Sequence, residues 1–241
     1  MIITIDGPVA SGKSTIARMV AEKLHFYYVY SGLLYRALAY VLVREHGYVD
    51  HTIATPDMHL VSTILERISY SDVQGIVRIT FAGHDITSAL KDASVDQAAS
   101  IVSSNPAVRD SINHMQRAMA KKHNLVADGR DCGSVVFPDA EHKFFLTAPL
   151  ALRAERWQKQ QRERGHDYTR EQAEQMLATR DGRDSNRAVA PLIVPLNATV
   201  IDTSEMTIKE IADYILESVY SSGHSFLANQ ETIQGPHNNG F

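Results

Sequence analysis

The segment that most constrains this fold lies at residues 7–14 and reads GPVASGKS, which fits the pattern G-x-x-x-x-G-K-[ST]. It follows a short apolar run at residues 2–5 and precedes residues 13–24, where apolar side chains recur at helical spacing. Glycines in such a turn let backbone N–H groups point at phosphate oxygens, and the following helix directs its positive end at them. A strand-to-helix turn without a ligand is the alternative, but the flanking elements favour a loop that binds a nucleoside triphosphate.

Two residues of this loop have specific expected roles. Lys13 is expected to reach the β- and γ-phosphates, and the hydroxyl of Ser14 is expected to bind Mg²⁺ directly. The residues predicted to contact the triphosphate are Gly7, Pro8, Val9, Ala10, Ser11, Gly12, Lys13, Ser14 and Thr15.

The rest of the chain predicts an α/β fold with a parallel sheet. β-branched or aromatic runs predict five strands, at residues 2–5, 26–29, 125–127, 143–146 and 199–201. Strands that alternate with helices are typical of a parallel sheet covered by helices on both faces. We therefore expect a five-stranded parallel sheet flanked by helices.

The interval between the second and third strands is too long for a simple crossover. Within it, residues 67–70 and 76–81 alternate like strands, with Gly75 and Gly83 as turns. We interpret residues 37–105 as an inserted lobe of helices and a small antiparallel sheet. The predicted core then comprises residues 1–36 and 106–220, with residues 150–187 helical. Residues 221–241 are polar and rich in turn formers, and are predicted to be a flexible tail.

Composition excludes several classes of protein. The chain has 24 Lys and Arg against 28 Asp and Glu, so its formal charge of −4 argues against general binding to nucleic acids or membrane surfaces. Its single cysteine, Cys132, excludes an internal disulfide and fits a reducing cytoplasm. We find no signal peptide and no apolar run long enough to cross a bilayer. A cytoplasmic protein without nucleic-acid or membrane partners is expected.

The loop alone leaves a GTPase-like switch, an ATP-driven motor, a binding module and a small-molecule kinase open. The sequence contains no N-K-x-D motif for guanine, and its D-x-x-G string at residues 72–75 reads as a hairpin turn. A kinase needs a second anionic substrate held opposite the γ-phosphate, a task that suits arginine. Residues 179–187 read TRDGRDSNR, where three arginines and two aspartates stand among poor helix formers. Arg162, Arg164 and Arg170 are equally consistent with a solvated helix face.

Four segments together resemble bacterial cytidylate kinases over roughly the first 220 residues. They are the phosphate loop, SGLLYR at residues 31–36, DGRDCGSVVFPD at residues 128–139, and RDGRDSNRAVAPL at residues 180–192. The resemblance implies a P-loop kinase core that uses Mg²⁺ and transfers the γ-phosphate of ATP or dATP to CMP or dCMP. It also implies that the inserted lobe binds the monophosphate and that residues 155–169 form a short helical lid. A related kinase acting on UMP or AMP is the alternative.

The resemblance also assigns roles to residues by position. The residues implied to contact the acceptor's phosphate and ribose are Ser31, Arg36, Arg130, Arg180, Asp184 and Arg187. Those implied to face cytosine are Ser100, Arg109 and Asp131. Arg156 is implied to contact ATP from the lid. The residues implied to be catalytic are Lys13, Asp128 and Arg180, with Asp128 meeting Mg²⁺ through water.

The chemistry of cytosine agrees with this set. Cytosine offers an amino donor at N4 and acceptors at N3 and O2, so an aspartate and an arginine or serine form matched partners. Because the acceptor is already an anion, no general base is needed, and none of the eleven histidines is assigned to catalysis. A monomer is the simplest expectation.

Three positions depart from the family pattern. Tyr30 stands where aspartate is usual, Trp157 follows Arg156 where a second arginine is common, and Lys91 replaces an arginine. Lysine keeps the charge but loses the planar fork.

Overall fold

The computed structural model describes residues 1–221. The strands are β1 Ile2–Asp6, β2 Tyr27–Tyr30, β3 Ile68–Val73, β4 Ile76–Phe81, β5 His84–Asp85, β6 Leu125–Gly129, β7 His142–Thr147 and β8 Thr199–Asp202. The helices are α1 Lys13–Leu24, α2 Ser31–His46, α3 Asp50–Ile53, α4 Met58–Arg67, α5 Ala93–Val102, α6 Pro106–Ala120, α7 Leu150–Arg162, α8 Arg170–Ser185 and α9 Ile208–Ser221. A 3₁₀ turn covers Ala89–Lys91, and a π-helical turn covers Cys132–Val136.

The five predicted core strands form one parallel sheet, which confirms the expected fold class. Their order is β2-β6-β1-β7-β8, and every neighbouring pair is parallel. The register aligns Ile5 with Asp128, so the end of β1 and the end of β6 lie side by side. Parallel strands place their carboxyl ends at the same border of the sheet, where ligands of such folds bind. The phosphate loop leaves from this border.

The inserted segment contains a second, antiparallel sheet in the order β3-β4-β5. Its first hairpin turns at residues 74–75, so the D-x-x-G string is a hairpin turn, as predicted. Gln74 and Gly75 have φ of 52° and 76°. β5 is an additional strand of two residues that the sequence pattern did not predict.

Two large apolar clusters organise the molecule. One joins α2, α4, α5 and α6 to the antiparallel sheet, with Leu38, Ile64 and Ile112 among its buried members. The other packs the parallel sheet against α1 and α9. α2 continues to His46, so the boundary placed between residues 36 and 37 falls within a helix. The division into core and lobe therefore stays a prediction.

The stretch predicted as helical at residues 150–187 is divided into two helices. Residues 163–169 separate α7 from α8, and Gly165 lies there with φ of 82°, a conformation that favours glycine. The prediction that residues 150–187 are helical is therefore confirmed for α7 and α8 and wrong at the turn between them. Ala154 of α7 packs against Ala173 and Leu177 of α8, so the two helices form a small hairpin.

Two further expectations concern membrane-spanning helices and the C-terminal tail. Within residues 1–221, no helix is long and apolar enough to cross a membrane. The predicted tail at residues 221–241 lies outside the described residues except for Ser221, which is the last residue of α9.

Candidate active site

The phosphate loop connects β1 to α1 through a backbone that requires glycine. Gly7 has φ of 151°, and a Cβ atom there would lie 2.2 Å from the carbonyl oxygen of Leu146 in β7. Gly12 precedes α1 with φ of 87°. No side chain within residues 1–221 caps the start of α1. The first N–H groups of this helix are thus available to an anion, as expected for a phosphate-binding helix terminus.

Lys13, Ser14 and Asp128 lie together where the loop meets β6. The Nζ of Lys13 donates to the carbonyl of Pro8 at 2.8 Å, and the Oγ of Ser14 donates to Oδ2 of Asp128 at 2.6 Å. Burial, followed by the charge of Arg130, lowers the pKa of Lys13 well below its ordinary value. An anionic phosphate beside Lys13 would oppose this effect and favour the charged ammonium.

Asp128 has a second partner that the sequence did not reveal. The hydroxyl of Tyr28 donates to Oδ1 of Asp128 at 2.8 Å, so both carboxylate oxygens are fixed. Burial raises the pKa of Asp128, while the hydrogen bond from Ser14 and the charge of Lys13 oppose that rise. Tyr28 comes from β2, directly beside β6 in the sheet, a neighbour that a local sequence pattern does not identify.

The oxygen atoms of Ser14 and Asp128 form a donor pair suited to a hard divalent cation. Magnesium prefers oxygen ligands and keeps water or phosphate oxygens in its remaining positions. Within residues 1–221, no group of three or more His, Cys, Asp or Glu side chains could hold a metal by itself. The residues therefore fit a cation that is completed by nucleotide phosphates and water.

Arg130 and Arg187 are grouped around one buried carboxylate. Arg130 donates through Nε to Oδ2 of Asp184 at 2.8 Å, and Nη1 of Arg187 lies 3.9 Å from Oδ1 of the same side chain. Burial opposes ionisation of Asp184, but Arg130 and then Arg187 outweigh it and hold its pKa below the ordinary value. The structure thus brings together three of the residues expected at the acceptor's phosphate and ribose.

Arg36 and Arg180 share a different carboxylate, that of Asp96 in α5. Arg36 donates to Oδ1 of Asp96 at 2.5 Å, and Arg180 donates to Oδ2. Asp96 belongs to none of the segments on which the family resemblance rests. It is 60 and 84 positions from its two partners in sequence, so only the fold reveals this contact.

Two of the three residues expected to face the base are in direct contact. Arg109 donates to Oδ2 of Asp131, and their side chains are only 3% and 8% exposed. The guanidinium carbon of Arg109 also lies 5.4 Å from the ring centroid of Tyr35. Ser100 is buried, and its Oγ has no hydrogen-bond partner within residues 1–221. A buried hydroxyl without a partner is available to a ligand.

Ser31 and Arg156 have protein partners in this structure. Ser31 donates through Oγ to the carbonyl of Asp128 at 2.8 Å, which places it beside the loop and β6. Arg156 donates to Oγ1 and to the carbonyl of Thr203, at 2.8 and 2.6 Å. Within residues 1–221, Arg156 has no hydrogen bond to the phosphate loop. Its contact with ATP therefore stays a prediction.

A contact between the loop and the helical hairpin was missed by the sequence interpretation. Asp181 of α8 accepts from the N–H of Val9 at 3.2 Å. Arg153 of α7 donates both to the carbonyl of Val9 at 3.1 Å and to Asp181 at 2.5 Å. Val9 and Ala10 also pack against the small cluster of α7 and α8. The α7–α8 hairpin therefore touches the phosphate loop directly.

Of the three departures from the family pattern, two make contacts within the protein and one is exposed. The N–H of Tyr30 donates to the hydroxyl of Tyr70 in β3 at 2.9 Å, which links the parallel sheet to the antiparallel one. Trp157 lies against Tyr168 with ring centroids 4.8 Å apart and packs on the α7–α8 cluster. Lys91 is exposed at the end of the 3₁₀ turn.

Comparisons with known proteins agree with this geometry. The family model described as cytidylate kinase matches residues 3–221. A cytidylate kinase of Streptococcus pyogenes serotype M18 (strain MGAS8232) is 38% identical over 218 residues, with 89% of this chain and 94% of the relative covered. A cytidylate kinase of Ralstonia pickettii (strain 12J) is 41% identical, with 90% of both chains covered. One of Marinomonas sp. (strain MWYL1) is 36% identical, covering 92% of this chain and 96% of the relative.

Solved structures resemble the chain more distantly. An uncharacterised protein from Eubacterium ventriosum ATCC 27560 superposes with a TM-score of 0.51 at 14% identity, covering 92% of this chain and 99% of the other. At that identity the likeness concerns the fold alone. The family match over residues 3–221 and the relatives above 30% identity settle the classification: this chain belongs to the cytidylate kinase family.

Proposed function

We propose that the chain transfers the γ-phosphate of ATP or dATP to CMP or dCMP, which gives CDP or dCDP and the donor diphosphate. The observation that carries the proposal is the arrangement of a phosphate loop beside a group of arginines, with the buried Arg109–Asp131 pair close to them in the fold. Membership of the cytidylate kinase family supports the choice of acceptor. The expected lid, residues 155–169, lies within the α7–α8 hairpin, and this hairpin touches the loop through Arg153 and Asp181.

The donor would bind along residues 7–15. Backbone N–H groups of the loop and the start of α1 would surround the phosphates, with Lys13 reaching the β- and γ-phosphates. Ser14 would hold Mg²⁺ directly and Asp128 would hold it through water. The oxygens of these two side chains lie 2.6 Å apart, so both can face one cation site. The cation held by Ser14 and Asp128 would supply positive charge that stabilises the negative charge developing on the phosphates. Tyr28 would keep Asp128 in place.

The acceptor's own phosphate oxygen is the nucleophile. It would form a bond to the γ-phosphorus while the bond to the bridging oxygen of the β-phosphate breaks, so that ADP leaves with both electrons. Arg36, Arg130 and Arg187 would hold the acceptor phosphate in line. Arg180 would neutralise charge on the group in transfer. Catalysis of this kind depends on orientation and charge neutralisation more than on proton transfer.

The base would be read by Asp131, Arg109 and Ser100. A carboxylate accepts a hydrogen bond from the N4 amino group of cytosine, whereas the O4 of uracil offers no proton there. Arg109 and Ser100 would donate to N3 and O2. Support comes from the buried Oγ of Ser100, which has no partner within residues 1–221. A mismatched buried group costs roughly 1–3 kcal/mol, enough to discriminate between the two bases.

The remaining expectations concern the lid, the assembly and the compartment. Closure of the lid at residues 155–169 over the loop would exclude water and prevent hydrolysis of ATP. The monomeric state stays a prediction. A cytoplasmic location is supported only by the single buried Cys132, which requires no oxidising compartment.

A coupled assay of ADP production tests the proposed function. Mg-ATP would be offered with CMP, dCMP, UMP, AMP and GMP in parallel, and kcat/KM would be compared. CMP and dCMP are expected to be preferred. A preference for UMP or AMP would support the alternative kinase, and ATP binding without ADP production on any acceptor would support a binding module.

A further inference from the structure

Asp96 holds an unusual place in the acceptor site. It lies in the first turn of α5, yet its two carboxylate oxygens accept from Arg36 of α2 and Arg180 of α8. One side chain therefore joins three helices. Burial opposes its ionisation, but Arg180 and then Arg36 outweigh burial and hold the pKa of Asp96 below its ordinary value. Asp96 is thus a permanent anion at neutral pH.

The same two arginines are those that the proposed function assigns to phosphates. A phosphate monoester has three terminal oxygens and close to two negative charges at neutral pH, so it is a stronger partner for guanidinium groups than a carboxylate is. Arg36 already uses its other terminal nitrogen on the carbonyl of Leu90 at 3.2 Å. A phosphate that pairs with both terminal nitrogens of Arg36 would compete with Asp96 for Nη2, and the two anions repel each other.

The charged side chains of the expected acceptor site do not cancel one another. The expected acceptor site contains five arginines, Arg36, Arg109, Arg130, Arg180 and Arg187, against three paired aspartates, Asp96, Asp131 and Asp184. This leaves an excess of two positive charges. Asp131 and Asp184 have expected roles toward base and ribose, whereas Asp96 has none. Its side chain is 29% exposed, so it has a path into solvent when an arginine is taken from it.

We propose that Asp96 is an internal competitor of the acceptor phosphate: its carboxylate pairs with Arg36 and Arg180, and a nucleoside monophosphate that binds displaces it from Arg36. The inference rests on the proposed function for the identity of the acceptor. Displacement of a bound carboxylate lowers the affinity for every anion. The attraction between a phosphate dianion and the arginines is strong enough to offset the cost of displacing Asp96, whereas that of a weaker anion is not. Asp96 therefore restricts the site to phosphate monoesters.

The test compares the full-length chain with Asp96→Asn, which keeps the shape of the side chain and removes its charge. Calorimetric titration with CMP, without ATP, is expected to give a Kd about fivefold lower for the variant. In steady state, KM for CMP is expected to fall while KM for ATP is unchanged. Asp213→Asn makes the same charge change in an exposed pair with Lys209 on α9 and is expected to leave both constants unchanged. A Kd for CMP that is equal or higher in Asp96→Asn would overturn the proposal.

Two further measurements keep the result interpretable. Titration with inorganic phosphate is expected to show the same direction of change, and this holds even if the assay above finds an acceptor other than CMP, because no base is involved. If Asp96→Asn fails to fold, the wild-type chain bound to CMP still decides. Arg36 and Asp96 are expected to lie beyond about 4 Å in that complex, outside ion-pair distance. An intact pair beside bound CMP would contradict displacement.

Discussion

At the scale of single residues, Asp131 is the expected determinant of base preference. Asp131→Asn keeps the size of the side chain but replaces one acceptor oxygen with an amino group, which suits the O4 of uracil better than the N4 of cytosine. The ratio of kcat/KM for CMP to that for UMP is expected to fall by about 10-fold or more. KM for ATP is expected to change little. Steady-state kinetics with both acceptors measures this.

The matched control is Asp139→Asn, an exposed aspartate in the same segment. It is expected to leave the CMP-to-UMP ratio unchanged. Equal losses of ATP and CMP binding in Asp131→Asn would instead indicate that the buried Arg109–Asp131 pair maintains the structure and does not read the base.

The buried carboxyl group of Asp6 is expected to contribute to stability in a pH-dependent way. It is fully buried at the end of β1 and accepts from the N–H groups of Cys132 and Gly133 at 2.9 and 2.7 Å. Burial raises its pKa from 3.8 to about 7, although both N–H groups oppose the shift. Between these values the folded chain binds more protons than the unfolded chain, so the free energy of unfolding falls as pH rises. The shift corresponds to at most about 4 kcal/mol.

Asp6→Asn removes this titration. From pH 4 to pH 7, the free energy of unfolding of the wild type is expected to fall relative to that of the variant. Urea unfolding followed by the fluorescence of Trp157, the single tryptophan, measures the difference. A difference that is constant over this range would show that the two N–H groups keep the carboxylate ionised in the folded chain.

Some of these residues could be identified from the sequence, and others could not. Lys13, Ser14 and Asp131 stand in local motifs, so their neighbourhood was visible before the fold was known. Asp96 and Tyr28 act across long separations: Tyr28 reaches Asp128 over 100 positions. No short sequence pattern contains such pairs, because their members are far apart in sequence. The order of the strands in the sheet and the packing of α5 on α2 bring them together.

At the scale of elements, the phosphate loop depends on the close approach of β1 to β7. Gly7→Ala would place a Cβ atom 2.2 Å from the carbonyl oxygen of Leu146, a backbone atom that cannot easily move. The variant is expected to lose roughly 1–3 kcal/mol of unfolding free energy. Its affinity for ATP is expected to fall at least about 10-fold, because displaced N–H groups no longer converge on the phosphates.

Gly182→Ala in α8 is the control for stability. A Cβ atom there would meet nothing within 4 Å among the described residues, and the backbone is helical. It is expected to leave the free energy of unfolding unchanged or to raise it by about 0.5–1 kcal/mol. Thermal denaturation and ATP titration of both variants make the comparison. Equal stability of the two variants would contradict the predicted clash at Gly7.

Helix bounds were predictable where local chemistry determines them. α1 spans Lys13–Leu24 as predicted, because a loop glycine precedes it and its apolar face is regular. The break between α7 and α8 was missed, although the sequence contains a signal for it. Thr169 and Gln172 form a capping box at the start of α8. The abundance of arginine and glutamate on both sides hid this boundary.

At the scale of the whole molecule, Tyr70 joins the two sheets. Its hydroxyl accepts from the N–H of Tyr30 and donates to the carbonyl of Tyr28, both at 2.9 Å. Tyr70→Phe would leave these two partly buried backbone groups of β2 without that partner. The free energy of unfolding is expected to fall by about 1–2 kcal/mol. Exchange of the Tyr30 amide hydrogen is expected to become faster.

Tyr214→Phe removes a hydroxyl from an exposed side chain of α9 and serves as the control. It is expected to unfold at the same urea concentration as the wild type. If both tyrosine variants match the wild type, the hydroxyl of Tyr70 adds nothing to the attachment of the antiparallel sheet.

The contacts of Tyr70 and Asp72 have a further consequence for the behaviour of the chain in concentrated solution. β2 is an edge strand, and the N–H groups of Tyr28 and Tyr30 point away from β6. Asp72 accepts from the first at 2.9 Å and Tyr70 from the second. Side chains thus take the positions that a further strand would fill. Since the opposite edge, β8, has only four residues, neither border offers a long template on which another chain could add a strand and begin to aggregate.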